Sequence, residues 1–200
     1  MKIACIDLEG VLIPELWPII AKRSGIEELS ITTREFPDYN SLMNRRIHLL
    51  RQNSLKLMDI KKVLEDINPY PDAVEFIKKL SDNYYIHIVS DCFYEIASPF
   101  LNLLGNPAAF LHNLIVDENN WVVGCKWQGR KGKQEHVNNL IKNEDYVIAV
   151  GDAFNDIEML KSANKGFLIR PSVATKGGAG DIPIIESLFE VFEYIPFKSN

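Results

Sequence analysis

The fold is decided near the start of the chain, where residues 3–10 read IACIDLEG. Four apolar residues run without a break and are followed at once by Asp7, Leu8, Glu9 and Gly10. Such a run, ending in turn residues, is typical of a buried strand whose carboxyl end opens into a polar loop. The sequence therefore predicts a core strand with two acids just beyond its end.

Strand and helix patterns alternate regularly after Pro71. Strands are predicted at 85–89, 146–150 and 167–169, with helices between them, and a last helix is predicted near 184–192. The apolar runs 114–116 and 121–123, separated by DENN, predict a short β-hairpin. The fold class is therefore α/β, a three-layer Rossmann-like core with a mainly parallel sheet and a β-hairpin.

The pattern between residues 14 and 70 is helical instead. Met43, Ile47 and Leu50 share one face of a predicted helix, and Asp38 precedes that helix as an N-cap. We therefore expect a discontinuous core of 1–13 and 71–200, with a helical cap of 14–70 inserted after the first strand. The glycine-rich stretch at 171–181 is expected to be a loop.

The composition limits the classes of partner molecule and the cellular compartment that we expect for this chain. The chain has 200 residues and a formal net charge of -5, which gives no long-range reason to expect a nucleic acid partner. Three cysteines without a CxxC pair predict a reducing cytoplasm rather than a disulfide framework. No apolar segment is long enough to predict a membrane span. The oligomeric state stays open, a homodimer included.

Polar residues follow the predicted strands, where ligands of open α/β sheets bind. They are Asp7 and Glu9, Ser90 and Asp91, and Asp152, Asn155 and Asp156. With Lys133 they supply carboxylates, a hydroxyl and an ammonium, which is the inventory that phosphoryl transfer requires. Taken alone, the first and third groups could be a turn and a helix start.

The same groups occur in the order of the haloacid dehalogenase superfamily pattern: DxD or DxE, then Ser or Thr, then Lys, then GDxxxD. They stand here at 7–9, Ser90, Lys133 and 151–156. The chain resembles that superfamily over nearly its whole length. The resemblance implies a phosphatase or phosphotransferase that forms an aspartyl-phosphate and uses Mg²⁺.

Within this resemblance, chemistry suggests a role for each residue. The Asp7 carboxylate is suited to attack phosphorus, and Glu9 is placed to protonate the leaving alkoxide and later to deprotonate water. Lys133 balances charge, although Lys131 in the same basic cluster is an alternative. The expected metal ligands are Asp7, Asp152, Asp156 and, by resemblance, the carbonyl of Glu9. The expected phosphate and substrate contacts of the core are Ser90, Asp91 and Asn155.

The predicted cap resembles that of the phosphoserine phosphatase group, and the DLEG and SD motifs resemble its bifunctional homoserine phosphotransferase members. Glu15 and Arg46 match the pair that would hold the ammonium and carboxylate of an amino acid, with Met43 lining the pocket. The implied partner is a small phosphorylated amino acid. Alternatives are that Arg46 lies on a solvated helix face, that the substrate is a nucleotide or sugar phosphate, or that the chain is a non-catalytic phosphate-binding module. Cys92 is expected to be a packed thiol, and no histidine is assigned chemistry.

Overall fold

A seven-stranded sheet forms the centre of the computed structural model, which describes residues 1–33, 35–36, 38–129, 132–143 and 145–196. Its strands β1 to β7 are Lys2–Ile6, Tyr85–Phe93, Ala108–Val116, Val122–Lys126, Tyr146–Gly151, Lys165–Ile169 and Ile184–Ile185. They lie in the order β4-β3-β2-β1-β5-β6-β7, and neighbours are parallel except β3 with β4. The predicted mainly parallel sheet with one hairpin is confirmed.

Helices cover both faces of the sheet. In the described residues, the α-helices α1 to α9 are Leu16–Ser24, Tyr39–Gln52, Leu57–Val63, Ala73–Ser81, Tyr94–Leu103, Lys133–Lys142, Ile157–Ser162, Val173–Gly178 and Val191–Tyr194. Side chains alternate along β1, so Ile3 and Cys5 pack on the face covered by α6 and α7. Ala4 and Ile6 pack on the other face, with residues of α4 and α5. Both faces of the sheet are covered by helices, as a parallel sheet requires.

The position of β1 determines where a ligand can bind. It pairs with β2 on one side and with β5 on the other, and the chain reaches these two strands by separate crossovers. The strand order therefore reverses at β1, and the crevice beyond its carboxyl end is a topological switch point, where open α/β sheets bind ligands.

The described part of 14–70 is built from helices α1, α2 and α3, as predicted, with a 3₁₀ helix at Glu27–Ser30 between α1 and α2. Asp38 caps α2 by accepting from the N–H of Ser41 at 2.9 Å. Gly25 ends α1 in the left-handed region at φ 74°. Apolar side chains of these helices join the core cluster on the α4 and α5 face of the sheet. None of the helices in the described ranges is long and apolar enough to cross a bilayer.

Two predictions for the tail are wrong. Residues 173–178 form α8 rather than a loop, because Ser172 provides an N-cap whose Oγ accepts from the N–H of Thr175 at 3.2 Å. The helix expected near 184–192 is divided. Ile184 and Ile185 instead pair with β6 as strand β7, and helix begins only after a 3₁₀ turn at Leu188–Glu190.

Candidate active site

Asp7 lies at the centre of the site, directly after β1. Its N–H donates to the carbonyl of Val150 at 2.9 Å, and its Oδ1 accepts from the N–H of Leu8 at 2.8 Å. The side chain is almost completely buried, with only 4% of the residue exposed. Burial and then the charge of Asp156 raise the pKa of Asp7, and Lys133 opposes that rise. The carboxylate is thus held rigidly at the switch point.

Lys133 is the first residue of α6, and its ammonium lies inside the site. Nζ is 2.9 Å from Oδ1 of Asp7, 2.7 Å from Oδ1 of Asp156 and 3.8 Å from Oδ2 of Asp91. Burial lowers the pKa of Lys133, but the three carboxylates outweigh burial and raise it well above its ordinary value. The side chain therefore stays charged. The alternative, Lys131, lies outside the described residues.

Asp156 is fully buried and both of its oxygens are engaged. Oδ1 accepts from Lys133, while Oδ2 accepts from the N–H groups of Asp152 and Ala153 at 3.0 and 3.1 Å. Gly151 makes this arrangement possible, because a Cβ there would lie 2.5 Å from the Cβ of Asp156. The observed contacts of Asp156 are therefore those of a residue that holds the lysine and the loop after β5.

Asp152, by contrast, has an oxygen without a partner. Its Oδ1 is buried and makes no hydrogen bond within the described part of the chain. Oxygens of Asp7, Asp152 and Asp156 lie within 4.8 Å of one another. Burial, followed by the charges of Asp156 and Glu15, raises the pKa of Asp152 to about 7. Three carboxylates beside one ammonium leave an excess of negative charge, which fits a hard divalent cation.

Gly10 allows the loop after β1 to approach Asp152. The residue has φ 78°, and a Cβ on it would lie 2.4 Å from Oδ2 of Asp152. Only glycine meets both requirements, since the left-handed region disfavours side chains and no space exists for one. The glycine of the DLEG motif therefore contributes to the geometry of the acidic group.

Glu9 lies in the loop after β1, and its side chain reaches the first residue of α1. Its Oε1 accepts from the N–H of Leu16 at 2.8 Å. Burial, followed by the charge of Glu15, raises the pKa of Glu9 to about 7, against the lowering effects of the Leu16 N–H, Cys92 and Arg46. A carboxyl group with a pKa near neutrality can both donate and accept a proton at physiological pH.

Asp91 joins β2 to the loop after β5. β2 extends to Phe93, so Ser90 and Asp91 belong to the strand itself. Oδ2 of Asp91 accepts from Nδ2 of Asn155 at 2.7 Å, and Oδ1 lies 3.6 Å from Nε2 of His112. Burial raises the pKa of Asp91, but Lys133, His112 and Asn155 together lower it below its ordinary value. Asp91 is therefore ionised and its side chain is held by protein groups.

Ser90 lies next to this ion-pair cluster and is 5% exposed. Its Oγ accepts a long hydrogen bond, 3.4 Å, from the N–H of Cys92. The hydroxyl hydrogen can still donate, as binding to a phosphoryl oxygen would require.

Arg46 projects from α2 and is buried, which excludes the solvated helix face as its environment. Its Nη1 lies 3.6 Å from Sδ of Met43, its Nη2 donates to the carbonyl of Ile31 at 2.8 Å, and its guanidinium lies 4.3 Å from the centre of the Trp17 ring. Its Nε is buried without an acceptor in the described residues. Burial lowers the pKa of Arg46, and Tyr39, Glu9 and Glu15 oppose that lowering. The predicted pair of Arg46 and Glu15 therefore interacts electrostatically.

Several neighbours of the site were not predicted. Trp17 stacks on Arg46, His112 approaches Asp91, and the hydroxyl of Tyr39 donates to the carbonyl of Asp91 at 2.9 Å. Their sequence neighbourhoods carry no signal, because each reaches the site only through packing between distant segments. Cys92 is buried, and burial raises the pKa of its thiol, as expected for a packed cysteine.

A cavity of about 550 Å³ opens beside Asp91 and Lys133. Ser90, Asp91 and Lys133 line one end of it, and Trp127 and His136 contribute to the remainder. Its volume lies within the range of small-molecule sites, which is roughly 300–1,000 Å³. The acidic group, the lysine and an adjoining cavity together form a site for a small anionic ligand.

The fold and this site define a hydrolase of the haloacid dehalogenase type. The family model for haloacid dehalogenase-like hydrolases matches residues 1–164. The chain therefore belongs to the haloacid dehalogenase-like hydrolase family, and the resemblance inferred from four short motifs is confirmed.

Particular relatives narrow this class. The chain is 41% identical to phosphoserine phosphatase ThrH of Pseudomonas aeruginosa over 168 residues, which cover 84% of this chain and 82% of that protein. It is 28% identical to the phosphoserine phosphatase of Methanocaldococcus jannaschii over 97% of both chains. A solved structure of a phospho-aspartyl intermediate analogue of phosphoserine phosphatase superposes with a TM-score of 0.79 at 26% identity, covering 97% of this chain and 98% of that one.

Proposed function

We propose that this chain is a Mg²⁺-dependent phosphoserine phosphatase that uses Asp7 as its nucleophile. The observation that carries the proposal is the ion pair between Lys133 and Asp7, beside an acidic group in which Oδ1 of Asp152 has no hydrogen-bond partner among the described residues. The relatives support phosphoserine as the substrate, since both are phosphoserine phosphatases.

Asp7, Asp152 and the main-chain carbonyl of Glu9 are the ligands that we propose for Mg²⁺. Asp156 belongs to the same acidic group, but both of its oxygens are engaged, so we assign it to positioning Lys133 and Asp152. Bound Mg²⁺ would neutralise charge on the carboxylates and on the phosphoryl oxygens.

The protein groups can perform both steps of hydrolysis. In the first step an oxygen of Asp7 attacks phosphorus as the bond between phosphorus and the serine oxygen breaks. Glu9 donates its proton to the departing serine oxygen. In the second step Glu9 takes a proton from water, whose oxygen attacks phosphorus and releases Asp7 and inorganic phosphate. A Glu9 pKa of about 7 suits both roles. Lys133 and Ser90 would stabilise the equatorial oxygens in each step.

We propose that Arg46 and Glu15 recognise the amino acid. The buried Nε of Arg46 lacks an acceptor in the described residues, although the guanidinium is already fixed by Trp17 and Ile31. A substrate carboxylate would satisfy it, and Glu15 would pair with the ammonium. Residues 14–70 would then act as a cap over the core formed by 1–13 and 71–200.

A second acceptor follows from the same intermediate. If an alcohol takes the place of water in the second step, the phosphoryl group passes to that alcohol. Homoserine is one methylene longer than serine and carries the same ammonium and carboxylate, so the Arg46 and Glu15 pair could hold it. We therefore propose homoserine as an acceptor. The cytoplasmic location and the oligomeric state stay predictions.

Arg46→Ala tests the substrate. We expect kcat/KM for phosphoserine to fall at least about 100-fold, because a charged hydrogen-bonding partner of the substrate is lost. Activity towards p-nitrophenyl phosphate, which has neither ammonium nor carboxylate, should change much less. Arg45→Ala is the matched control, since Arg45 is the exposed neighbour on the same helix. An equal loss for both substrates, or a sugar phosphate or nucleotide turned over faster than phosphoserine, would contradict the amino-acid assignment.

A further inference from the structure

A second group of ligand-type side chains lies beneath α6, separate from the acidic group. Cys5 of β1 and His87 of β2 are register partners in neighbouring parallel strands, so their side chains lie on the same face of the sheet. His136 of α6 covers that face. One ligand atom from each of the three lies within 4.8 Å of the other two.

The two imidazoles already face each other. Nδ1 of His87 lies 3.0 Å from Nε2 of His136, and the ring of Phe110 lies 3.8 Å from that of His136, centre to centre, at an interplanar angle of 35°. Burial, followed by the charge of His87, lowers the pKa of His136 to about 4, and burial lowers that of His87. Imidazole binds metals through a nitrogen lone pair, so the facing nitrogens of His87 and His136 are placed where two ligand atoms of one ion would lie.

The donor set differs in kind from that of the active site. A thiol and two imidazoles suit Zn²⁺ and other borderline cations, whereas carboxylates suit Mg²⁺. In tetrahedral zinc geometry two imidazole nitrogens lie about 3.3 Å apart, so the observed pair needs to separate by only a few tenths of an ångström. His136 and Phe110 also line the 550 Å³ cavity, which offers an entry path and room for a fourth ligand.

We propose that Cys5, His87 and His136 form a Zn²⁺ site, with water from the cavity as the fourth ligand. On binding, the thiol proton is released to solvent, and the imidazole that donates the hydrogen bond shifts that proton to its other ring nitrogen. The two facing nitrogens then each bind the metal through a lone pair. Such an ion would join β1, two residues before Asp7, to α6, one turn after Lys133. Zinc would thereby stabilise the scaffold that holds the nucleophile and its lysine.

Cobalt binding tests the site directly. The chelator-treated full chain is titrated with Co²⁺ in saturating Mg²⁺, which occupies carboxylate ligands. We expect a near-ultraviolet thiolate-to-cobalt absorption band that saturates at one Co²⁺ per chain and is displaced by Zn²⁺. Oxygen ligands alone cannot produce that band, so its presence does not depend on the active site or on the proposed function.

Variants assign the ligands. Cys5→Ala should abolish the band and His136→Gln should weaken Co²⁺ binding at least about tenfold, whereas Cys125→Ala and His48→Gln should leave both unchanged. Zn²⁺ should also raise the Tm of the wild-type chain by several degrees and that of His136→Gln by much less. If Cys5→Ala does not fold, the half-buried His136 carries the test. A wild-type chain without the band, or a band unchanged in His136→Gln, overturns the proposal and leaves a hydrogen-bonded imidazole pair packed on Phe110.

Discussion

The ammonium of Lys133 lies 2.9 Å from the carboxylate of Asp7, with both side chains almost completely buried. Because Lys133 begins α6 and Asp7 ends β1, this contact connects the helix covering one face of the sheet with the central strand. The same ammonium binds Asp156, so one lysine compensates two buried acids. We propose that its role is both structural and catalytic.

Lys133→Met should separate these roles. We expect kcat/KM for phosphoserine to fall at least about 100-fold, because a cation near the transferred phosphoryl group is lost. The free energy of unfolding should fall by about 3 kcal/mol, since two buried carboxylates lose their partner. Steady-state kinetics and urea unfolding measure the two effects. Lys142→Met, on the exposed last turn of the same helix, is the control and should change neither. If Lys133→Met retained most of the activity, a role of Lys133 in phosphoryl transfer would be excluded.

Asp152 and Asp156 should respond oppositely to substitution in the absence of metal. Asp152→Asn removes a charge that Asp156 and Glu15 repel, so Tm in chelator should rise. Asp156→Asn loses either the lysine or the backbone N–H groups as partners, so Tm in chelator should fall. Thermal unfolding in EDTA and then in Mg²⁺ measures this, and Mg²⁺ should stabilise Asp152→Asn far less than the wild type. Equal Tm shifts of the two variants in EDTA would show that Asp152 and Asp156 do not have different roles.

Protonation of His136 should contribute a loss of stability of the metal-free chain in mild acid. This contribution is opposite in sign to that of Glu9 and Asp152, whose raised pKa values favour the folded chain as the pH falls. The pKa of His136 is about 4 in the folded chain, where burial and then His87 lower it, and near 6.5 when unfolded. The unfolded chain therefore takes up this proton first, and the stabilisation present above pH 6.5 is lost as the pH falls towards 4. For a half-buried ring we expect a loss of about 1–2 kcal/mol after discounting for solvent screening. Urea unfolding in chelator at several pH values measures it. Relative to the wild type, His136→Gln should gain stability as the pH falls from 6.5 towards 4, whereas exposed His48→Gln should run parallel to the wild type. A difference between His136→Gln and the wild type that does not change with pH would refute the assignment.

The strand ends were predictable because each carries its own local signal. Asp7, Ser90 and Asp152 all follow an apolar run directly, and parallel strands bring their carboxyl ends to one edge. Lys133 was predictable only through the order of the motifs, since its basic cluster alone reads as a solvated surface. What sequence could not provide is how the oxygens are shared: Asp156 is fully engaged whereas Asp152 is not.

Contacts between distant segments could not be predicted from the sequence either, because they depend on how helices and strands pack. Trp17 meets Arg46 only because α1 and α2 pack together, and no spacing along the chain encodes that. The tail was misjudged because Ile184 and Ile185 have the same apolar pattern in a helix and in a buried strand. Pairing with Leu168 and Ile169 decides between them, and that pairing is a tertiary interaction.

Gly10→Ala should damage metal binding more than stability. A methyl group at this position would lie 2.4 Å from Oδ2 of Asp152, so we expect that carboxylate to move and the Mg²⁺ concentration for half-maximal activity to rise at least about tenfold. Gly25→Ala is the matched control. Gly25 has nearly the same φ, 74°, but no atom of the described residues lies within 4 Å of its Cβ position. Both variants should lose about 1–2 kcal/mol of unfolding free energy in chelator from the left-handed backbone, with an added clash only at Gly10. Magnesium titration of activity distinguishes them, and an unchanged Mg²⁺ requirement in Gly10→Ala would show that the close approach of this loop does not position Asp152.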